Sequence, residues 1–214
     1  DVAARLGREG FAFADVALEA RPDTAGAPYV DVTVRVRRGD AFVLGSPLAE
    51  GTRSAPEVVR RLALWTEGEP FDPVRIRQGL ARLRRTGYFD EAVWEGTWRD
   101  PTRNVLYPAL RLPDARASTV GGILGYDTEA AGGARVTGFL DVRLLNLRGS
   151  ARDLEFNYDG RTGNEREARL RYVEPWIWTL PLGARWEGSF LQQDTVFQEW
   201  QQDLTVFRDL NTYS

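Results

Sequence analysis

One phrase of the sequence occurs twice, and its spacing limits the folds that this chain can adopt. In both copies a Leu is followed four residues later by Gly, then by an aromatic residue, and after five more positions by Val. The copies are Leu6, Gly10, Phe11 and Val16, and Leu83, Gly87, Tyr88 and Val93. They lie 77 positions apart, which is enough for one small α+β module each. Because repeated modules more often present surfaces than active sites, the front of the chain is predicted to be a binding array.

The composition excludes several classes of function. The 214 residues contain no Cys, His or Met. Without Cys there is no disulfide and no thiolate metal site, and without His the chain lacks the usual general base and the commonest metal ligand. A net charge of −3 provides no basic surface for nucleic acid. We therefore expect a protein that is not an enzyme, has no cofactor or metal, and does not bind nucleic acid.

The first half of the chain is predicted to be α+β. A helix tail reaches Gly10, and strands are predicted over 16–20, 29–37 and 41–44. A capping box at Ser54 begins one helix, and Asp72 with Pro73 begins a second. A hairpin then spans residues 88–112, and Pro108 indicates that its second strand is an edge strand or an irregular one. The predicted order of the second module is strand, helix, helix, strand, strand.

After Pro113 the helix signals end, and six strands with regular alternation follow. They are predicted over residues 118–127, 133–147, 152–159, 165–173, 182–191 and 196–207. One set of alternating side chains is apolar, and the other carries more charge than a solvent-facing surface requires. This pattern favours a transmembrane β-barrel with apolar side chains toward lipid and charged ones toward a lumen. A soluble β-sandwich, whose strands also alternate, remains an alternative.

An α+β repeat that leads into alternating strands resembles the BamA/TamA superfamily of outer-membrane assembly and translocation proteins. The resemblance is carried by several stretches in the same order as in the family. They are Gly68-Glu-Pro-Phe-Asp-Pro73, Thr86-Gly87-Tyr88-Phe89-Asp90, Val120-Gly-Gly-Ile-Leu-Gly-Tyr126, Leu145-Asn-Leu-Arg-Gly149 and Tyr172-Val-Glu-Pro175. The first of these leans toward TamA. Ser150 and Ala151 depart from the pattern, because the family usually has a second Gly there.

The resemblance implies a fold and a domain organisation. The implied fold is an α+β POTRA module (β-α-α-β-β) followed by an all-β antiparallel meander, the N-terminal part of a transmembrane β-barrel. Residues 1–40 would be the C-terminal part of one POTRA domain, 41–114 a complete POTRA domain, and 115–214 the first, incomplete set of barrel strands. Because a single-chain barrel needs at least about eight strands, we expect the sequence to be a segment of a longer protein.

The resemblance also implies a location, partners and site residues. The location is the bacterial outer membrane with the N-terminal part in the periplasm. The partners are outer-membrane lipid, unfolded outer-membrane or secreted client proteins, and a periplasmic accessory protein. Partner binding by β-augmentation would involve Tyr88, Phe89, Val93, Val105 and Tyr107. The seam strand that pairs with clients would contain Val120, Gly121, Gly122, Leu124, Gly125 and Tyr126. The alternatives are an outer-membrane pore or transporter without insertase activity and a soluble periplasmic binding module.

Overall fold

The computed structural model describes residues 2–22, 30–100, 102–116, 118–128, 134–160, 165–178, 180–193 and 197–208. The chain divides into two compact units. Unit 1 comprises Asp1–Gly51, Val59–Leu83 and Glu91–Leu112. Unit 2 comprises Thr52–Val58, Arg84–Asp90 and Pro113–Ser214. Unit 1 therefore holds the first copy of the repeated phrase, whereas residues 84–90 of the second copy and residues 52–58 of the predicted second module group with the C-terminal strands.

The described residues form short helices and mostly antiparallel strands. The helices are α1 (Val2–Arg8), α2 (Pro56–Ala63) and α3 (Pro73–Arg85). The strands of unit 1 are β1 (Asp15–Pro22), β2 (Val30–Arg37), β3 (Val43–Leu44), β4 (Leu48–Glu50), β5 (Val93–Asp100) and β6 (Val105–Arg111). The strands of unit 2 are β7 (Thr119–Thr128), β8 (Ala134–Leu144), β9 (Asp153–Gly160), β10 (Glu165–Glu174), β11 (Gly183–Gln193) and β12 (Phe197–Phe207). Tyr29, the predicted first residue of the second strand, lies outside the described residues.

The two copies of the repeated phrase have the same local structure. Each Leu is buried in the last turn of a helix, each Gly has a left-handed φ, and each Val lies at the start of a strand. The pairs are Leu6 in α1 and Leu83 in α3, Gly10 (φ 93°) and Gly87 (φ 69°), and Val16 in β1 and Val93 in β5. The left-handed conformation ends the helix and turns the chain into the strand, which is why Gly recurs there. The predicted internal repeat is confirmed at this level.

The second copy belongs to a module with the predicted order of elements. Two short strands, β3 and β4, replace the single first strand, and α2, α3, β5 and β6 follow. The apolar core of this module is formed by Phe42, Leu44, Val59, Leu62, Trp65, Phe71, Ile76, Leu80, Leu83, Leu106 and Leu110. Asp72 caps α3 as predicted, since its Oδ1 accepts a hydrogen bond from the Val74 amide at 2.8 Å. Helix α2 begins at Pro56, two residues after the predicted cap at Ser54.

Of the two alternatives that Pro108 indicates, an edge strand or an irregular strand, the edge strand is wrong. Strand β6 is the centre of its sheet, with β5 on one side and the two short parallel strands β3 and β4 on the other. Strand β3 pairs with residues 105–106 and β4 with residues 109–111, so Pro108 lies opposite the gap between them. A residue without an amide proton is tolerated in this central strand because no ladder hydrogen bond is required of it at the gap.

Gly79 allows Trp65 to pack against α3. A Cβ at position 79 would lie 2.3 Å from Trp65 Nε1, and this indole is buried and donates to the Arg75 carbonyl at 3.1 Å. Helix propensity alone would make Gly79→Ala stabilising by about 1 kcal/mol. We expect the overlap with the buried ring to outweigh that gain, with a net loss of about 1–2 kcal/mol. Urea unfolding, followed by tryptophan fluorescence, measures this loss of stability. Gln78→Ala, on the exposed face of α3, is the control. A Gly79→Ala protein more stable than the wild type would contradict the expectation.

The six predicted C-terminal strands are confirmed. They form one antiparallel sheet in chain order, from β7 at one edge to β12 at the other. Each neighbouring pair is in continuous register over at least seven residue pairs. Within the described ranges, no helix is both long and apolar enough to cross a membrane.

Candidate functional site

The predicted seam residues lie together on one edge strand. All six are in β7, which pairs with β8 alone in the described part of the chain. The outward-pointing side chains are little covered, with Val120 70% and Tyr126 69% exposed. The free main-chain donors and acceptors of such an edge are a template for another strand. The site is therefore a strand edge that can bind an extended polypeptide through main-chain hydrogen bonds.

The two central glycines of β7 differ in their surroundings. A Cβ at Gly121 would meet no atom within 4 Å, whereas a Cβ at Gly122 would lie 2.6 Å from the Phe139 carbonyl oxygen of β8. Gly122 thus allows close pairing with β8, while at Gly121 a side chain fits without steric change. Gly121 is consequently the position at which the edge can be altered without disturbing the neighbouring strand.

One face of the six-stranded sheet carries a ladder of charged side chains, whose sign alternates from β8 to β11. The register places Arg143, Glu155, Arg171, Glu187 and Asp203 in one row across β8 to β12. Glu155 pairs with Arg143 and with Arg171, each at 3.3 Å, and Arg171 Nε lies 3.5 Å from Glu187. Opposite charges directly across a sheet stabilise the pairing. The ladder therefore fixes the register while keeping this face strongly polar.

The opposite face is apolar over three rows. The rows are Leu144, Leu154, Tyr172, Trp186 and Leu204; Val120, Val142, Phe156, Leu170 and Gly188; and Leu140, Tyr158, Ala168, Phe190 and Trp200. Most of the aromatic residues are in the two outer rows, and Phe190 and Trp200 contact each other with ring centroids 4.5 Å apart. Gln202 also lies on this face, beside Gly188 at the edge of the sheet. Among the described residues these strands form a single sheet, so the layered pair of sheets that a β-sandwich requires is not found.

The height of the apolar rows can be measured along β10. Arg166 and Glu174 end the apolar stretch on this face and lie eight residues apart. That separation is about 27 Å along a strand, and a tilt of about 40° reduces it to about 20 Å along a barrel axis. The apolar band of outer-membrane barrels is about 25 Å tall, with aromatic residues at both margins. The apolar rows are therefore somewhat shorter than such a band, and they share its side-chain distribution.

The five predicted partner-binding residues are not together on one surface. Tyr88 and Phe89 are buried, with 5% and 4% of their surface exposed, so their side chains contribute to packing and not to a free surface. Val105 and Tyr107 belong to the central strand β6, whose two sides are already paired. Val93 is the exception, because it begins β5, which pairs with β6 alone among the described strands.

Strand β5 has a protected edge. Its register with β6 shifts between Trp94 and Gly96, which leaves Glu95 as a bulge. Glu95 forms an ion pair with Arg111 at 2.7 Å, and Arg111 also pairs with Glu91. Bulges and charges are the means by which natural edge strands avoid unspecific pairing. The edge of β5 is therefore less open to strand pairing than the edge of β7.

A buried polar cluster of unit 2 was not predicted. Asn146 has a left-handed φ of 50°, and its side chain donates to Ser54 Oγ at 3.1 Å and accepts from the Ala151 amide at 2.8 Å. Its own amide donates to Asp153 Oδ1 at 2.9 Å, and the Tyr88 hydroxyl lies 3.0 Å from Asp153 Oδ2. The Leu145–Gly149 stretch marks this cluster in the sequence, but its partners lie too far away along the chain to be identified there.

The departure from the family pattern at Ala151 also has a structural explanation. Ala151 is fully buried with a φ of 60°, a conformation in which Gly is ordinarily preferred. Its amide donates to Asn146, and its carbonyl lies 3.1 Å from the Tyr88 hydroxyl. These hydrogen bonds hold the alanine in a conformation that costs about 1 kcal/mol or more.

Burial and hydrogen bonds set the protonation of two groups near this cluster. Burial raises the pKa of the Tyr88 hydroxyl, and the negative charge of Asp153 raises it further, so Tyr88 remains a hydrogen-bond donor. Partial burial acts to raise the pKa of Asp114, but hydrogen bonds from Thr52 and Arg53 outweigh it and hold this pKa below its usual range. Asp114 is therefore ionised at neutral pH. Among the residues with described positions, no three acidic side chains are grouped as metal ligands.

The geometry defines an α+β module and a sheet with one polar and one apolar face. The comparison with solved structures shows the fold: the chain is similar to BamA from Haemophilus ducreyi lacking POTRA domains 1–3, with a TM-score of 0.66, 16% identity and coverage of 94% of this chain and 38% of that one. The chain thus spans less than two fifths of that BamA structure, and the predicted BamA-type fold is confirmed.

Further matches are weaker. CdiB from Escherichia coli has a TM-score of 0.48 at 16% identity and covers 94% of this chain and 39% of that one. BamA POTRA3–5 from Haemophilus influenzae has a TM-score of 0.43 at 23% identity, with 53% and 44% covered. No protein-family model and no curated protein matches the sequence.

Proposed function

We propose that the chain is part of a non-enzymatic factor that assembles or translocates proteins at the bacterial outer membrane, related to the BamA/TamA superfamily. The observation that carries the proposal is the antiparallel sheet with one charged and one apolar face, which follows an α+β module along the chain and belongs to a chain whose fold is similar to that of BamA. In this reading the α+β modules are POTRA domains in the periplasm. The narrower assignment to TamA rests on the Gly68–Pro73 stretch and stays a prediction.

The apolar face would contact lipid and the charged face would line an aqueous lumen. Three apolar rows with aromatic margins have the side-chain distribution of the lipid-facing band of outer-membrane barrels. The charged ladder of Arg143, Glu155 and Arg171 would be costly in lipid but is well solvated in a water-filled channel. Lipid is thus the first partner of this chain.

Client proteins would be the second partner, bound at the free edge of β7. Binding needs no cofactor, because an incoming strand supplies its own donors and acceptors to the exposed edge. The edge of β5, beginning at Val93, would bind either a client segment or a periplasmic accessory protein in the same way. The energy for insertion would come from client binding and folding.

Gly121→Val tests the role of β7. Val favours an extended strand by up to about 1 kcal/mol over Gly, so the edge becomes stiffer and exchanges partners less readily. Since Gly121 has open space, we expect normal folding and client insertion slowed about fivefold. The measurement is the rate of client folding into vesicles that contain the intact parent protein.

Ser189→Val is the matched control for Gly121→Val. It lies in the same cross-sheet row and on the same face, but in strand β11, which is paired on both sides. We expect its insertion rate to equal that of the wild type. Equal rates for wild type and both variants would contradict the templating role of β7. Ion conductance without any client insertion by the wild type would instead identify a pore or transporter.

A further inference from the structure

The segment that precedes β7 contacts three other parts of unit 2. Strand β7 itself is paired with a single neighbouring strand, β8, in the described part of the chain. This lead-in segment consists of residues 113–116 and Ser118. Its contacts all lie inside unit 2, with residues 52–53, residues 88–90 and the turn between β8 and β9.

Asp114 makes the first set of contacts. Its Oδ1 accepts from the Thr52 hydroxyl at 2.6 Å, and its Oδ2 accepts from the Arg53 amide at 3.1 Å and from Arg53 Nε at 3.0 Å. One carboxylate therefore fixes two consecutive residues through three hydrogen bonds. Hydrogen bonds to an ionised acceptor are the stronger kind.

The main chain makes the second set. The Asp90 amide donates to the Pro113 carbonyl at 2.9 Å, and the Ala115 amide donates to the Tyr88 carbonyl at 2.8 Å. Phe89 and Asp114 thereby form an isolated antiparallel bridge. The lead-in segment is paired here like a short strand, although its side chains predict no strand.

The β8–β9 turn makes the third set. The Leu145 amide donates to Ser118 Oγ at 3.1 Å, immediately before β7 begins. The next residue, Asn146, ties the turn to Ser54 and Asp153, and Asp153 receives the Tyr88 hydroxyl. Tyr88 thus joins the lead-in segment to the turn, through its main chain on one side and its hydroxyl on the other.

The lead-in segment ends at Ser118, and strand β7 begins at Thr119. From Thr119 onward, β7 has β8 as its neighbour and no second strand in the described part of the chain. The side chains of Val120, Ile123 and Tyr126 are about 70% exposed. The first end of β7 is therefore held by contacts beyond its pairing with β8.

We propose that Asp114, Tyr88 and Asn146 form a clamp that anchors the first end of β7, so that the base of this strand stays in place when its edge binds another strand. These three are positioning residues for the edge. The consequence for clients rests on the proposed function: a client strand would meet an edge whose base is fixed.

Hydrogen exchange in the intact parent protein tests the clamp. Asp114→Ala removes three hydrogen bonds from the lead-in segment, so we expect amides of residues 114–116 and 118–119 to exchange at least about tenfold faster. Amides of residues 121–128 should exchange at the wild-type rate, which is a regional pattern that general loss of stability does not produce. Ser118→Ala, which removes one hydrogen bond, should give a smaller change of the same regional pattern and remains informative if Asp114→Ala folds poorly.

Asp100→Ala is the matched control. The Asp100 carboxylate also accepts from a following amide and hydroxyl, those of Thr102 at 2.8 and 2.7 Å, but in the β5–β6 turn of unit 1. Asp100→Ala should leave hydrogen exchange in β7 and in its lead-in segment unchanged. Equal acceleration of residues 121–128, or no acceleration of the lead-in segment in Asp114→Ala, would overturn the clamp.

Client insertion measured with the same Asp114→Ala protein separates the two proposals. Slower insertion together with the regional exchange pattern supports both. The regional pattern with unchanged insertion supports the clamp and contradicts the templating role of β7.

Discussion

In the intact parent protein, Leu170→Arg is expected to weaken insertion into bilayers, while Ser189→Arg leaves insertion intact. Leu170 lies in the middle apolar row, between Phe156 of β9 and Gly188 of β11. An Arg on the lipid face near the middle of a bilayer costs about 2–4 kcal/mol. Ser189 is the neighbour of Gly188 in sequence but points to the charged face, where another Arg meets water.

The measurement is flotation with vesicles, followed by urea titration of the folded fraction in the vesicles. We expect the midpoint of Leu170→Arg to correspond to a loss of about 2–4 kcal/mol, and that of Ser189→Arg to match the wild type. The experiment also decides between lipid and protein as the cover of the apolar face. A wild-type protein that stays monodisperse without detergent and does not float with vesicles would show that the face closes on protein, and the membrane assignment would then fail.

The strands of the C-terminal sheet could be predicted because their signal is local. In β9, Leu154, Phe156 and Tyr158 alternate with charged or polar neighbours, and a period of two is sufficient to assign both the strand and its faces. The repeated phrase was informative for the same reason. A helix end, a left-handed Gly and a strand start are all encoded within eleven residues, so both copies could be located without knowledge of the rest of the chain.

The predictions that failed concern residues whose surroundings are formed by distant parts of the chain. The Pro in β6 indicates an edge when only its own strand is considered, and only the gap between β3 and β4 explains why a central position tolerates it. Tyr88 follows a Gly at a turn, where a surface aromatic and a buried one have the same sequence pattern. Its burial depends on Ala151 and Asp153, more than 60 residues away. Asn146 bonds to Ser54 across 92 positions, a pairing that one sequence alone does not contain.

Gly149→Ala is expected to destabilise unit 2 strongly. Gly149 has a φ of 74°, and a Cβ there would lie 2.5 Å from the Arg53 carbonyl oxygen and 2.7 Å from its carbonyl carbon. A left-handed non-Gly residue costs about 1–2 kcal/mol, and overpacking adds about 1–3 kcal/mol. Because the overlapping atoms belong to the main chain, no rotamer change relieves the contact. We therefore expect a loss of about 3 kcal/mol in total.

Gly68→Ala separates the two costs of Gly149→Ala. Gly68 has a similar φ of 82°, but a Cβ there would meet nothing within 4 Å. It should therefore show the conformational cost alone, about 1 kcal/mol. Urea unfolding of both variants in the same detergent gives the difference directly, and hydrogen exchange of residues 52–54 reports whether the loss in Gly149→Ala is at the contact with Arg53. If the two variants lost the same stability, the close approach of the β8–β9 turn to Arg53 would not exist in solution, and the Asn146 contact to Ser54 that depends on that approach would be absent as well.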